Sequence, residues 1–154
     1  MLTEIDLSFL TILWRAGLAT LLGFAIGWER RATGSPVRTR IIPLVAMTTA
    51  ALTTLGMRMS PADASRVLAG LLTGIGFIGA GVIMRSGTEE VRGLTTAASL
   101  WAMSCIAITV GAGYEVIGVV LTLFVYVVIA WNDWPIVTRL RQLRAEKLLE
   151  MEKK

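Results

Sequence analysis

Five apolar stretches, separated by short polar links, make up most of the chain. About 20 helical residues, at 1.5 Å each, cross a hydrocarbon core about 30 Å thick, and each stretch approaches that length. The pattern therefore predicts an all-α integral membrane protein with five transmembrane helices. The predicted spans cover residues 9–28, 41–57, 67–84, 94–110 and 116–134, and a basic helical tail follows at 135–154.

Glycines at helical spacing interrupt the first and third of these spans. In lipid, ridges of small residues let two helices approach closely, so the glycines are predicted to form packing surfaces. The alternative is that the bare backbone carbonyls lie along an ion path. The glycines concerned are Gly23 and Gly27 in the first span, and Gly70, Gly74, Gly76, Gly79 and Gly81 in the third.

Lysine and arginine are unequally distributed between the links. The links at 29–40 and 85–93 and the tail hold twelve of the fifteen, the link at 58–66 holds two, and Arg15 lies inside the first span. By the positive-inside rule, the N-terminus lies outside and the C-terminus is cytoplasmic. The net charge of +4 is thereby explained as a topology signal, and no nucleic-acid partner is expected.

The polar side chains also differ between spans. The fourth span carries Thr95, Thr96 and Ser99 and is the most polar, which predicts that it is shielded from lipid. The hydroxyls near its start are expected to cap the helix, and an anion site beside Arg92 is the alternative. The fifth span is almost purely aliphatic and aromatic, which predicts a lipid-facing helix.

Charges at the predicted cytoplasmic face form the main candidate for chemistry. Glu29 is the only acid of the link at 29–40, where Arg30 follows it directly. It is expected to pair with Arg38, Arg40 or Arg92 and so to clamp two links together, because a charge at the membrane edge is costly unless paired or hydrated. The alternative is that Glu29 binds an ion.

The residue types present argue against an enzyme. The chain has no histidine and a single cysteine, Cys105, so the usual zinc and haem sites and histidine-based nucleophilic catalysis are excluded. Magnesium prefers carboxylates with retained waters, yet no acid is predicted in mid-membrane. We therefore expect no enzyme and no cofactor, and no metal site can be identified.

Several motifs along the chain resemble the MgtC/SapB family of bacterial inner-membrane proteins, in order and in spacing. The most specific are GIGFIGAG at residues 74–81 and VRGLTTAASLW at 91–101, supported by GFAIGWER at 23–30, VRTR at 37–40 and the pair Ser65-Arg66. The resemblance covers about residues 21–114 and adds Arg66 to the candidate functional residues. Longer members have a soluble C-terminal domain, so this chain resembles a short, membrane-only type or a piece cut to it.

The resemblance implies a multi-pass protein of the bacterial inner membrane, linked to magnesium limitation and, in pathogens, to survival inside host cells. Two activities stay open. The first is a non-enzymatic modulator that acts by helix contacts with itself, as a homo-oligomer with a dimer as first choice, or with another membrane protein such as an ATPase. The second is a transporter or channel for magnesium or another small ion.

Overall fold

The computed structural model describes residues 2–32, 40–86 and 90–131, with the side chains of 8–32, 40–83 and 93–131. Five helices and one short hairpin make up these residues. They are α1 (Leu2–Ala32), α2 (Ile41–Gly56), α3 (Pro61–Val82), β1 (Met84–Ser86), β2 (Glu90–Arg92), α4 (Leu94–Gly111) and α5 (Glu115–Ala130). The predicted helical fold class is confirmed in these residues, while the predicted tail and Arg38 lie outside them.

Helix α4 is the centre of the bundle, because it contacts each of the other four helices. Half of α4 is buried, including the fully enclosed Met103 and Ala107, so the prediction that the fourth span is shielded is confirmed. The core continues into α1 through Ile26 and into α2 through Ala46. On α5, by contrast, side chains such as Val116 and Val128 are more than 70% exposed, as the lipid-facing prediction requires.

Glycines allow two close helix crossings. A Cβ placed on Gly23 of α1 would lie 2.8 Å from the Cα of Pro43 on α2. A Cβ on Gly111, the last residue of α4, would lie 2.6 Å from the backbone oxygen of Ala50 on α2. Real side chains do not reach such distances from backbone atoms, so both crossings require glycine.

Helix α3 lies at the edge of the bundle against α2 and α4. Proline, aspartate and serine at positions 61, 63 and 65 are typical of a first helical turn, and α3 does begin at Pro61, where the backbone N–H of Asp63 donates to the Ser60 hydroxyl at 3.3 Å. This is the arrangement that satisfies free N–H groups at a helix N-terminus. Among the residues of α3, Ile75 alone is buried.

The link between α3 and α4 contains a structure that the sequence analysis did not predict. β1 and β2 pair antiparallel, with Met84 opposite Arg92 and Ser86 opposite Glu90. Three-residue strands leave no periodic pattern in a sequence, which explains the miss. The hairpin is a local exception within a helical protein.

The exterior of the bundle is apolar enough for lipid. In the described part of the chain, three helices, at Ser8–Ala32, Pro61–Val82 and Leu94–Gly111, are long and apolar enough to cross a membrane. The apolar helices α2 and α5 have 16 residues each, which corresponds to about 24 Å. Exposed large apolar side chains occur on all five helices, among them Trp28, Leu44, Phe77, Trp101 and Phe124.

Candidate functional site

One end of the bundle, here called the Glu29 end, carries most of the predicted site residues. α1 and α3 end there, and α2 and α4 begin there, because consecutive antiparallel helices alternate in direction. Glu29 and Arg30 lie in the last turn of α1 and are both buried. The guanidinium of Arg30 lies 3.6 Å from a carboxylate oxygen of Glu29. The structure therefore brings an acid and a base together inside the protein at this end.

The other predicted partners of Glu29 are placed differently. Arg40 is exposed and occupies the N-cap position of α2. Arg92 ends β2, and only its backbone is described. The clamp between two links therefore stays a prediction, whereas the contact with the neighbouring Arg30 is present in the structure. Sequence spacing gave no reason to expect both side chains of a consecutive pair to be buried.

The hydroxyl residues at the start of α4 divide into buried and exposed ones. Thr96 and Ser99 are buried, and Thr95 is exposed. The Ser99 hydroxyl donates to the Thr95 carbonyl at 2.8 Å, which satisfies it within its own helix. The prediction of a hydroxyl cap at this helix start is wrong, because the N-cap is Gly93 and no side-chain cap bond forms.

Gly93 has a positive φ of 89°, a conformation that only glycine adopts easily. A Cβ on it would also meet the Val82 carbonyl oxygen at the end of α3. The residue thus lets the hairpin return tightly to α4, and no hydroxyl side chain could take its place.

Arg66 lies at the opposite end of the bundle from Glu29. It belongs to the first turns of α3, is exposed, and its guanidinium lies 3.4 Å from a carboxylate oxygen of Asp63. Exposed pairs of this kind contribute little to stability. Among the charged candidates whose side chains are described, Arg66 lies apart from Glu29 and Arg30.

The opposite end, here called the Arg15 end, holds a charged group that the sequence analysis did not assemble. The guanidinium of Arg15 donates to Glu115 at 2.9 Å and to the Gly111 carbonyl at 3.0 Å. The Thr54 hydroxyl donates to the same carbonyl at 3.0 Å. Arg15 therefore joins α1 to the C-terminal end of α4 and to the start of α5. At the C-terminal end of α4, the positive charge also interacts favourably with the helix dipole.

Glu115 immediately precedes the fifth predicted span, which begins at residue 116. Its own backbone N–H, and then Arg15, lower the pKa of its carboxyl against partial desolvation. The sequence does show an arginine inside the first apolar stretch and an acid just before the fifth. The two residues lie 100 positions apart, so the sequence gave no reason to pair them.

The glycines of α3 lie mostly on an open surface. A Cβ added at Gly70, Gly74, Gly76 or Gly81 would have no neighbouring atom within 4 Å, whereas a Cβ on Gly79 would meet Ala97 of α4 at 3.9 Å. An open groove of about 410 Å³ runs beside this surface between α2 and α3. Its lining includes Val45, Thr48 and Leu52 from α2, and Gly70 and Gly74 from α3. Gly23 and Gly27, in contrast, are buried.

These features define two different kinds of site. Within the part of the chain that the structure describes, no group of three or more histidine, cysteine or carboxylate residues could hold a metal ion. The Glu29 end offers a buried ion pair at the end of α1 and buried hydroxyls at the start of α4. The open face of α3 offers a smooth surface on which another helix can lie.

The sequence of this chain matches a known protein family. The sequence model of the MgtC family matches residues 17–134, which is more than half of the chain. The chain belongs to the MgtC family. This confirms the resemblance stated from the motifs, and it supports a membrane protein of the MgtC type.

The chain is similar to individual proteins from several bacteria. SapB of Bacillus subtilis is 29% identical over 150 residues, which cover 92% of this chain and 63% of SapB. MgtC of Salmonella typhimurium is 44% identical over 95 residues, which cover 62% of this chain and 41% of MgtC. An uncharacterised protein of Haemophilus influenzae is 36% identical over 132 residues, which cover 79% of this chain and 55% of that protein.

The matched part spans less than two thirds of each of these three relatives. No solved structure matches the chain. Three of the motifs that carry the MgtC family resemblance, at residues 23–30, 74–81 and 91–101, fall on the end of α1, on α3 and around the start of α4, which hold the two candidate sites. The pair Ser65-Arg66 lies at the opposite end, and residues 37–39 lie outside the described residues.

Proposed function

We propose that this protein is a non-enzymatic, multi-pass protein of the bacterial inner membrane that modulates another membrane protein, such as an ATPase, by helix contact. Its five helices cross the membrane with the N-terminus outside and the C-terminus in the cytoplasm, as the lysine and arginine distribution favours. The link to magnesium limitation and to virulence follows from the family resemblance.

One observation carries the modulator proposal, and it is the open glycine face of α3. Gly70, Gly74 and Gly76 leave backbone uncovered on a helix that buries only Ile75. Small residues serve close helix contact in lipid, yet no other helix of the described residues comes within 4 Å of a Cβ placed at these three glycines. A transmembrane helix of a second protein chain is an occupant of the right shape.

We expect Gly74→Leu to leave the protein folded and to abolish its function. A Cβ at this position has no neighbour within 4 Å among the described residues outside its own helix backbone, so we expect the leucine to be accommodated while it fills the surface where a helix would lie. The measurement is growth of a deletion strain at low magnesium after complementation. Gly79→Leu is less suitable, because a Cβ there already contacts Ala97 of α4 at 3.9 Å, so the substitution also changes packing within the chain.

Gly17→Leu is the matched control, since Gly17 on α1 also has no neighbour within 4 Å. A photo-crosslinking residue in place of the exposed Phe77 should give an adduct with the partner, and Gly74→Leu should remove that adduct. Mass photometry of the purified protein distinguishes self-association from a different partner. Full complementation by Gly74→Leu would refute a contact at this face.

Ion transport is the second candidate, and the buried Glu29–Arg30 pair favours it, because ionisable residues within membrane segments often mark ion or proton paths. The test is magnesium flux into proteoliposomes that hold only this chain, with and without a membrane potential. Under this candidate Glu29→Gln and Arg92→Gln abolish flux while the protein stays assembled. Zero flux from correctly inserted protein would refute it.

A further inference from the structure

Two arginines mark the Arg15 end of the bundle at different heights. Arg58, just after α2, donates to the backbone carbonyl of Ser8 on α1 at 3.3 Å. Arg15 lies seven residues further along the same helix and binds Glu115 and the Gly111 carbonyl. At 1.5 Å per residue, the Cα atoms of Ser8 and Arg15 are about 10 Å apart along α1. On the α2 side, the residues at the same two levels are Arg58 and Thr54, which lie four residues, or about 6 Å, apart.

The two sides of the bundle end at these different levels. α2 continues beyond the Arg15 level to Gly56, where a Cβ would meet Val67 of α3, and α3 extends further outward to Pro61. α4, however, ends at Gly111, and the turn to α5 follows at once. The α4–α5 turn, residues 111–115, is therefore recessed relative to Ser8.

A flat bilayer surface fits neither level. If the surface lay at Arg15, the residues of α1 between the two levels would stand in water, although four of them are large apolar side chains with 52–65% of their surface exposed. These are Phe9, Leu10, Leu13 and Trp14. If the surface lay at Ser8, the side chains of Arg15 and Glu115, which are 21% and 31% exposed, would face hydrocarbon.

We propose that the protein thins one leaflet over its α4–α5 turn, so that the bilayer surface descends by about 6–10 Å from the Ser8 level to the Arg15 level. The lipid covers α1 up to Ser8, and a water-filled depression lies above the turn with the Arg15–Glu115 pair in its floor. Local thinning is a known response of bilayers to short hydrophobic helices, at a modest cost per ångström. The lipid partner that fits this surface is one with short acyl chains.

Tyr114 fits the rim of such a depression. It lies on the turn and is 60% exposed, and tyrosine favours the membrane–water interface because its ring is apolar and its hydroxyl polar. The proposal needs only that the helices cross the membrane. It depends neither on the orientation of the chain nor on what contacts α3.

The reactivity of introduced cysteines tests this difference in bilayer height directly. Cys105 is the only cysteine in the sequence, so Cys105→Ser gives a cysteine-free background. Tyr114→Cys, Leu13→Cys and Ser60→Cys are each reconstituted in vesicles of 18-carbon phosphatidylcholine. A charged, membrane-impermeant methanethiosulfonate is loaded by freeze–thaw so that it reaches both faces. We expect Tyr114→Cys to react about as fast as Ser60→Cys, and Leu13→Cys roughly tenfold more slowly, since only a hydrated thiolate reacts.

Each alternative gives a different result. Equal, slow reaction of Tyr114→Cys and Leu13→Cys would place a flat surface at Ser8 and overturn the proposal. Fast reaction of Leu13→Cys would place the surface at Arg15 and overturn it as well. A nitroxide on Leu13→Cys should collide often with oxygen and rarely with a water-soluble nickel complex; rare collisions with both would show protein covering this segment and would also overturn it. Ala112→Cys, on the same turn, gives a second reading if Tyr114→Cys does not fold.

Discussion

Glu29→Gln is expected to lower the free energy of unfolding by about 3–5 kcal/mol, the usual cost of removing one partner of a buried ion pair. Both side chains of the Glu29–Arg30 pair are at most one-tenth exposed, and their charged groups lie 3.6 Å apart. Without the carboxylate, the positive charge of Arg30 would stay buried without this partner. The loss is measured by thermal or detergent-induced unfolding of the purified protein.

Arg31→Gln is the matched control, because Arg31 follows the pair on the same helix and is exposed. Exposed substitutions of this kind usually change stability by no more than about 0.5 kcal/mol. If Glu29→Gln were no more destabilising than Arg31→Gln, the buried pair would have no structural role.

The double variant Glu29→Gln/Arg30→Met completes the cycle. Methionine keeps much of the length of arginine without its charge, so the double variant should be less destabilised than the sum of the single variants. Coupling between contacting residues is about 0.5–3 kcal/mol. Strict additivity would show that the two side chains are stabilised separately by other groups.

This prediction changes how a flux experiment is interpreted. Loss of flux in Glu29→Gln alone can reflect unfolding as well as the loss of an ion path. A double variant that regains stability but still lacks flux would assign a transport role to the carboxylate. A double variant that regains both would make the pair structural.

The sequence predicted the helical segments well where a boundary carries a local chemical signal. Ser60, Pro61 and Asp63 mark the start of α3, and Gly111 marks the end of α4. α1 extends beyond its predicted span at both ends, from Leu2 to Ala32. That difference arises because hydrophobicity reports where lipid begins, whereas a helix can continue into water.

The arrangement of the candidate sites could not be predicted in the same way. Glycine spacing identifies a smooth helix face but does not say which helix covers it, so Gly23 and Gly74 looked alike in the sequence. The contact of Arg15 with Glu115 joins residues 100 positions apart. Pairings of this kind depend on helix packing, which no local pattern encodes.

The second large effect is expected at Gly23, where we predict that Gly23→Leu prevents α1 from packing on α2. Even the first carbon of a side chain would lie 2.8 Å from the Cα of Pro43 and 3.1 Å from the Cβ of Ala46. Backbone atoms cannot move aside as a flexible side chain can. Gly23→Ala should therefore already cost about 1–3 kcal/mol, the range for overpacked interiors.

The measurement is the amount of monodisperse protein in mild detergent, together with its melting temperature. Gly17→Leu, six residues earlier on the same helix, faces open space and should keep both values. A normal melting temperature for Gly23→Leu would mean that α1 and α2 are further apart than in this structure.

The comparison with Gly74→Leu separates the two glycine surfaces by their consequences. If α1 packs inside the bundle and α3 packs against another chain, the same substitution should remove the folded protein at Gly23 and only the function at Gly74. Loss of folding at both positions would mean that α3 is covered by its own chain. Loss at neither would leave the glycines of this protein without a packing role, and the modulator proposal would lose its support.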